Sequence, residues 1–264
     1  MDEIFFLKLL LSFLVGGSWV IFTTIFADKF GAKVGGLIAG LPSTLLFGLF
    51  FIGWTQNPQT AVRATMIVPI IGGINAIFLA FYVSQIKKGL WVSLFSSLVL
   101  WVFLSFLAVI IKLNNFGISL LIYVLMFSFS YYIFKNKLKI ESIAGKKIEY
   151  THRLFLFRGL LGGLVVLLSV FLGKIGGPII GGLFAMFPAM SVSTLVITYL
   201  AHGPQFSATL AKSSMLSAIS IIIYVIVVRY GYISLGLIFG TLLAIVVSFL
   251  SGYLIYRFIV KKFS

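Results

Sequence analysis

The sequence predicts an all-α integral membrane protein with nine transmembrane helices, arranged as two inverted four-helix repeats plus a linker helix. The first observation is composition: of 264 residues, 61% are hydrophobic and 9% are charged, against about 25% charged in an average soluble domain. The second is that the basic residues lie in short clusters between apolar runs. The third is an internal repeat. Too few polar residues remain to cover a water-facing surface, which excludes soluble enzymes, disordered chains and nucleic-acid-binding domains despite a net charge of +15.

Nine apolar segments are long enough to cross a bilayer as helices, for which about 20 residues are needed. Backbone groups inside lipid must be hydrogen-bonded within their own segment, and these runs are too long to be barrel strands. The predicted spans are 4–27, 35–54, 60–86, 89–111, 116–134, 153–173, 178–200, 206–228 and 232–258. The predicted domains are 1–112 for the first repeat, 113–152 for the linker helix and a basic loop, and 153–264 for the second repeat.

Lysine and arginine concentrate in the loops on one side of this arrangement. The cations of that side are Lys29, Lys33, Lys87, Lys88, Lys135, Lys137, Lys139, Lys146, Lys147, Arg153, Lys261 and Lys262. The other side holds little more than Lys112, Lys174 and Arg229. The positive-inside rule then predicts a cell membrane (plasma or inner) protein with the N-terminus outside and the C-terminus in the cytoplasm.

The internal repeat appears when the chain is compared with itself at an offset of 146 residues, without gaps. Glycines 16 and 17 then coincide with glycines 162 and 163, Pro42 with Pro188, and Pro58 with Pro204. Each repeat contains four predicted spans, and one further span, 116–134, separates them. Because four spans return the chain to its starting side, the single linker helix makes the second repeat enter the membrane from the opposite side.

Short motifs in both halves resemble a known family. The segments Gly36 to Thr44 (GLIAGLPST) and Gln59 to Thr65 (QTAVRAT) have counterparts in Gly182 to Pro188 (GLFAMFP) and Ser207 to Lys212 (SATLAK). They resemble the small GlpM-like (DUF3147-type) membrane proteins, which are about one repeat long. The second repeat departs from the pattern, with Thr209 at the position of Arg63. The resemblance implies a duplicated family unit and leaves the substrate open.

Two cations inside predicted spans are candidate ligands for an anion. Arg63 lies one turn into the third span and Lys212 about two turns into the eighth. A charge at the centre of a membrane helix costs roughly 2.5–3.5 kcal/mol and therefore needs a partner or a wet cavity. An anionic ligand near a helix N-terminus is one such partner. Snorkelling of both side chains to the interface is the alternative, easier for Arg63 than for Lys212.

The helices interrupted by Gly and Pro in the two halves give a second set of candidates. Pro42 and Pro188 occupy equivalent positions, and each proline frees a backbone carbonyl in the preceding turn. Matched interruptions of this kind mark substrate sites in inverted-repeat transporters, although glycines and a kink also serve tight helix packing. The polar side chains near them are Ser43, Thr44, Asn75, Ser191, Ser193 and Thr194.

These patterns predict a small secondary transporter that moves an anionic small molecule or a lipid-linked phosphate by alternating access. Its expected partners are membrane lipid and that substrate, with no nucleic acid, and a homodimer is left open. We expect no enzyme activity, no cofactor and no metal, because the chain contains no cysteine and no recognisable catalytic or ligand spacing. The alternative is a non-transporting membrane subunit that scaffolds an envelope-polymer or lipid-processing complex.

Overall fold

The computed structural model describes residues 3–39, 42–112, 115–140, 151–255 and 257–258, and within the first range it describes side chains as far as residue 25. The described residues do not include 141–150 of the predicted basic loop, the side chains of Lys29 and Lys33, or Lys261 and Lys262.

The described residues form a bundle of eleven α-helices. They are α1 (Glu3–Ala39), α2 (Ser43–Thr55), α3 (Pro58–Ala64), α4 (Val68–Gln85), α5 (Leu90–Ile110), α6 (Phe116–Tyr132), α7 (His152–Ile175), α8 (Pro178–Ala185), α9 (Ala189–Ser217), α10 (Ile219–Ser234) and α11 (Gly236–Ile255). A 3-10 turn, Ile86–Lys88, follows α4, and a π-helical turn, Ile133–Leu138, follows α6. Side chains cap three N-termini: Asn57 accepts a 2.8 Å hydrogen bond from the backbone N–H of Thr60, Asn115 accepts one of 3.1 Å from Ile118, and Thr151 accepts one of 3.4 Å from Leu154.

Seven helical stretches among the described residues are long and apolar enough to span a membrane, by length and composition. They are Glu3–Ile25, Pro58–Lys88, Leu90–Ile110, Phe116–Leu138, His152–Ile175, Pro178–Ser234 and Gly236–Ile255. Their outward surfaces carry many exposed large apolar side chains, such as Phe106 on α5 and Phe239 on α11. Such surfaces suit contact with lipid rather than water, so the chain is an all-helical protein with the properties of a membrane protein.

Two predicted spans are divided at prolines into separate helices, whereas 60–86 and 206–228 are divided at short turns, residues 65–67 and 218. The predicted span 35–54 is divided between the end of α1 and the 13-residue α2, and the predicted span 178–200 is divided between α8 and α9. Proline is the reason in both cases, since Pro42 and Pro188 are the N-cap residues of α2 and α9, and a proline cannot continue the preceding turn. The predicted nine spans therefore do not appear as nine continuous helices.

The repeat found in the sequence reappears in the boundaries of the helices. Adding 146 to the first residues of α2 and α5 gives the first residues of α9 and α11. Adding it to Pro58, the first residue of α3, gives Pro204, which directly follows a break inside α9 at Gly203, where φ is 83°. Because equivalent positions begin or interrupt helices in both halves, the repeat is present in the structure as well as in the sequence.

The first helices of the two halves, α1 and α7, pack closely on each other through glycines. A Cβ placed on Gly16 would lie 2.7 Å from Val166, and one placed on Gly162 would lie 2.5 Å from Val20. Four residues further along α1, Thr24 accepts a 3.3 Å hydrogen bond from Arg158. Residues of increasing number on α1 thus contact residues of decreasing number on α7, so the two helices are antiparallel.

The helix interface between α1 and α7 also has an internal symmetry. Gly17 lies against the backbone carbonyl of Gly159, where an added Cβ would be 2.8 Å away, and Gly163 lies against the carbonyl of Phe13 at 2.6 Å. Under the 146 offset each of these contacts is the counterpart of the other, as are the contacts of Gly16 and Gly162 described above. Reciprocal contacts of this type are what a two-fold axis between two equivalent units produces.

Candidate functional site

The helix interruption before α9 leaves backbone carbonyls without partners in their own helix. After α8 ends at Ala185, residues 186–188 are not α-helical, and Pro188 has φ −78° and ψ 33°. Proline has no N–H to donate, so a carbonyl of the preceding turn loses the hydrogen bond that it would accept in a continuous helix. Pro42 stands at the equivalent place before α2, with φ −77° and ψ 59°. The sequence prediction that these prolines interrupt their helices is correct.

Side chains of the first half bond the carbonyls opened in the second half. Thr44 Oγ1, in the first turn of α2, donates a 3.1 Å hydrogen bond to the carbonyl of Ala185. Asn75 Nδ2, on α4, donates one of 3.1 Å to the carbonyl of Met186. Trp101 Nε1, on α5, donates one of 2.6 Å to Asn75 Oδ1. We call these five residues the break junction, since they join α2, α4 and α5 to the interruption between α8 and α9.

Close packing at the break junction places one more hydroxyl beside it. Ser169 on α7 is fully buried, and its Oγ has no hydrogen-bond partner among the described residues. A Cβ added to Gly48 would lie 2.8 Å from that oxygen and 2.9 Å from Ala185 Cβ. Polar groups buried without a partner are rare in folded proteins. The sequence analysis missed Ser169, although the repeat pairs it with another hydroxyl residue, Thr23, at the 146 offset.

The remaining predicted hydroxyl residues do not all meet at the break junction. Ser193 Oγ donates to the carbonyl of Met190 within its own helix, at 3.0 Å, and Ser43 and Ser191 are half-buried. Thr194 instead accepts a 2.9 Å hydrogen bond from Arg158 Nη1. Of the predicted set, the structure therefore groups Thr44 and Asn75 at the interruption before α9.

Two arginines join helices of different halves, a role that the sequence analysis gave to neither of them. Arg158, half-buried on α7, donates to Thr24 of α1 and to Thr194 of α9. We call these three residues the Arg158 bridge. Both partners are threonines that lie more than 30 positions from Arg158 in the sequence. Local sequence could not predict these contacts, because only the packing of α1, α7 and α9 brings the three residues together.

Arg229, at the other end of the bundle, makes a comparable connection. Its Nη1 donates to the carbonyl of Val62 at 3.3 Å and to Thr65 Oγ1 at 3.2 Å. The guanidinium also lies 4.6 Å from the centroid of the Phe116 ring at the start of α6, a favourable cation–π distance. These four residues form the Arg229 bridge, which ties α10 to the first half and to the linker helix.

The two predicted cation ligands lie in different surroundings. Arg63, in the last turn of α3, has an exposed side chain, so it does not reach into the bundle as the prediction required. Lys212 on α9 is half-buried, and its Nζ donates a 3.0 Å hydrogen bond to the carbonyl of Ile140. The structure brings neither of them to the break junction.

Lys212 lines a pocket at the end of the linker helix. This lysine pocket has a volume of about 80 Å³, and its lining residues are Tyr131, Phe134, Lys135, Lys139, Ile140 and Lys212. The sequence analysis counted Lys135 and Lys139 among the cations of the lysine-rich side. Three of the six lining residues are lysines, whose positive charge suits an anion. Among the described residues, no group of three His, Cys, Asp or Glu side chains is placed to hold a metal ion.

Comparison with known proteins finds one family. The sequence model of a family described as a protein of unknown function (DUF3147) matches residues 9–114 and, separately, residues 155–261. The two matches coincide with the two halves related by the 146 offset and leave the linker helix between them. Neither the curated proteins nor the solved structures contain a match to the chain.

Proposed function

The chain belongs to the DUF3147 family and carries two copies of the family's unit, and from that premise we propose that it is a secondary transporter of an anionic solute or a lipid-linked phosphate. Transport proceeds by alternating access between two inverted repeats. The observation that carries the proposal is the pair of helices interrupted at equivalent prolines, with the carbonyls of one interruption bonded by side chains of the other half. In inverted-repeat transporters, substrate and ion sites lie at such interrupted helices.

The packing of α1 and α7 supports the inverted relation of the repeats. Equivalent helices that cross antiparallel, with reciprocal glycine contacts, are expected when a two-fold axis lies in the membrane plane. Parallel repeats would instead place equivalent helices in the same direction. A single linker helix separates the repeats, and an odd number of spans between them also predicts that the second repeat is inverted. The proposed nine spans require that α2 and the last part of α1 cross the membrane together as one span.

The two arginine bridges support alternating access. The Arg158 bridge and the Arg229 bridge lie at opposite ends of the bundle, and each connects the two halves. Each consists of a few hydrogen bonds, worth about 1.5–3 kcal/mol apiece for a charged donor, which a rocking motion of one half against the other can break and remake. A site between the halves is reached from one end when the bridge at that end opens.

Uptake into liposomes tests the proposal. The purified protein is reconstituted, and uptake is measured for inorganic phosphate, a phosphate monoester and a dicarboxylate. We expect uptake of one anion class, abolished by Lys212→Gln and retained by Lys174→Gln, which removes an exposed lysine at the end of α7. Unchanged uptake by Lys212→Gln overturns the role of that lysine. Absence of uptake by folded wild-type protein, with a stoichiometric membrane partner co-purifying, favours the scaffold alternative.

A further inference from the structure

The lysine pocket is built by an unusual piece of backbone. After α6 ends at Tyr132, the chain makes a π-helical turn, Ile133–Leu138, and Lys139 then adopts a left-handed conformation with φ 46° and ψ 44°. Such a conformation is uncommon for residues other than glycine, asparagine and aspartate, and costs about 1–2 kcal/mol. π-helical turns and strained residues occur frequently at functional sites. Here both serve to turn the chain back towards α9.

Contacts around the pocket position two of its three lysines. The side chain of Phe134, with 1% of its surface exposed, anchors the π-helical turn in the bundle. Lys212 Nζ reaches across from α9 to the Ile140 carbonyl at 3.0 Å, and Lys135 Nζ lies 6.0 Å from the centroid of the Tyr131 ring. Three lysines thereby line one cavity between the π-helical turn and α9.

We propose that the lysine pocket binds a phosphate group. A phosphate carries up to two negative charges on three free oxygens, so it can accept hydrogen bonds from several ammonium groups at once, and lysine is a common phosphate ligand that acts as a point charge. The small pocket, about 80 Å³, suits one such group rather than a large organic anion. The inference deepens the proposed function and rests on it for the identification of phosphate as the transported chemistry.

The phosphate can come from two sources. The pocket lies at the end of the apolar stretch Phe116–Leu138, where a membrane helix meets the headgroup layer, so a phospholipid headgroup can reach it. Basic residues at that depth attract anionic lipids by about 1 kcal/mol each. A free phosphate or phosphate monoester arriving from water has the same chemistry. The two sources are separated by experiment.

Binding is measured on the purified full chain without any transport assay. In the first arm, the melting temperature in detergent is followed with inorganic phosphate against chloride at equal ionic strength. In the second arm, it is followed in nanodiscs of phosphatidylcholine with and without phosphatidic acid. The test variant is Lys135→Gln/Lys139→Gln/Lys212→Gln. Its charge-matched control is Lys87→Gln/Lys88→Gln/Lys174→Gln, at three exposed lysines away from the pocket. A single variant, Lys139→Asn, removes one charge and introduces asparagine, which tolerates the left-handed conformation.

We expect wild type and the control triple to be stabilised by phosphate, by phosphatidic acid or by both. The pocket triple loses that stabilisation, and Lys139→Asn binds about tenfold more weakly, as for one charged hydrogen bond. Stabilisation by phosphate alone assigns a free anion, and stabilisation by phosphatidic acid alone assigns a headgroup. Equal loss in both triples, or no stabilisation in either arm, overturns the proposal. These two arms measure binding and not transport. If the protein binds phosphate at the pocket but takes up no anion into liposomes, the proposed function is refuted and this inference stands.

Discussion

At the scale of single residues, Asn75 connects α4 to α5 and to the interruption before α9. Its amide donates to the Met186 carbonyl and accepts from Trp101 Nε1, so one side chain satisfies a buried group of the interruption before α9 and a buried group of α5. An asparagine can do this because its amide carries a donor and an acceptor on one plane. The sequence singled out Asn75 as a polar residue inside a span, but the identity of its partners depends on the interruption before α9.

Replacing Asn75 with leucine is expected to destabilise the protein by about 1–3 kcal/mol per group left unpaired. The Met186 carbonyl and the Trp101 indole N–H both lose their partners in Asn75→Leu. The measurement is the free energy of unfolding in detergent. The matched control is Asn136→Leu, which makes the same substitution at an exposed position of the π-helical turn and is expected to change stability by less than about 0.5 kcal/mol. Equal effects of the two substitutions would refute the role given to Asn75.

At the scale of helices, glycine decides how near α1 and α7 approach. Helix association inside a membrane gains little from the hydrophobic effect, because lipid tails are as apolar as leucine, so close backbone contact matters more. Gly17 and Gly163 each face a backbone carbonyl of the opposite helix. The sequence showed that these glycines repeat at the 146 offset, whereas the contact between the two copies became visible only in the structure.

A methyl group at Gly163 is expected to separate the two helices. In Gly163→Ala the new Cβ would lie 2.6 Å from the Phe13 carbonyl oxygen, and a backbone atom cannot move aside as a flexible side chain can. Overpacking of this kind costs about 1–3 kcal/mol, measured again as the free energy of unfolding. In Gly252→Ala the nearest atom is Ser220 Cβ at 3.8 Å, an ordinary contact, so that variant serves as the control. Wild-type stability of Gly163→Ala would show that the helices do not depend on this approach.

At the scale of the whole molecule, the direction of each half in the membrane is the property that transport by alternating access requires. The antiparallel packing of α1 and α7 is the arrangement that the proposed inverted halves require. Because the chain contains no cysteine, single cysteines can report the side of each loop in the otherwise unmodified protein.

We expect cysteines at Lys88 and Lys135 to react with an impermeant thiol reagent from one side of the membrane, and cysteines at Lys112 and Lys174 to react from the other. All four side chains are exposed. The physical reason is that the first pair lies in the lysine-rich loops and the second pair in the lysine-poor loops, which the positive-inside rule places on opposite sides. Labelling of Lys88 and Lys174 from the same side would exclude inverted repeats.

The two kinds of candidate site differed in how well the sequence predicted them. Thr44, Asn75 and the two prolines follow from a local rule, since a proline inside a span frees a carbonyl that some polar side chain must bond. Trp101 and Ser169 were missed, although a tryptophan in mid-span and a hydroxyl repeated at the 146 offset are signals that could have marked them. Arg63 was placed inward on spacing alone, but its side chain is exposed, because spacing along a helix does not say which neighbour covers that face.

The amino-acid sequence by itself determined that the chain is helical, apolar enough for a membrane and duplicated, because composition, run length and the offset of glycines and prolines are properties of order along the chain. Only the tertiary structure decided which side chains bond the interrupted helix, which arginines connect the halves, and that Lys135, Lys139 and Lys212 share a pocket. The physical reason is that these contacts join residues far apart in sequence. Their distances are set by helix packing, which the order of residues in one helix does not reveal.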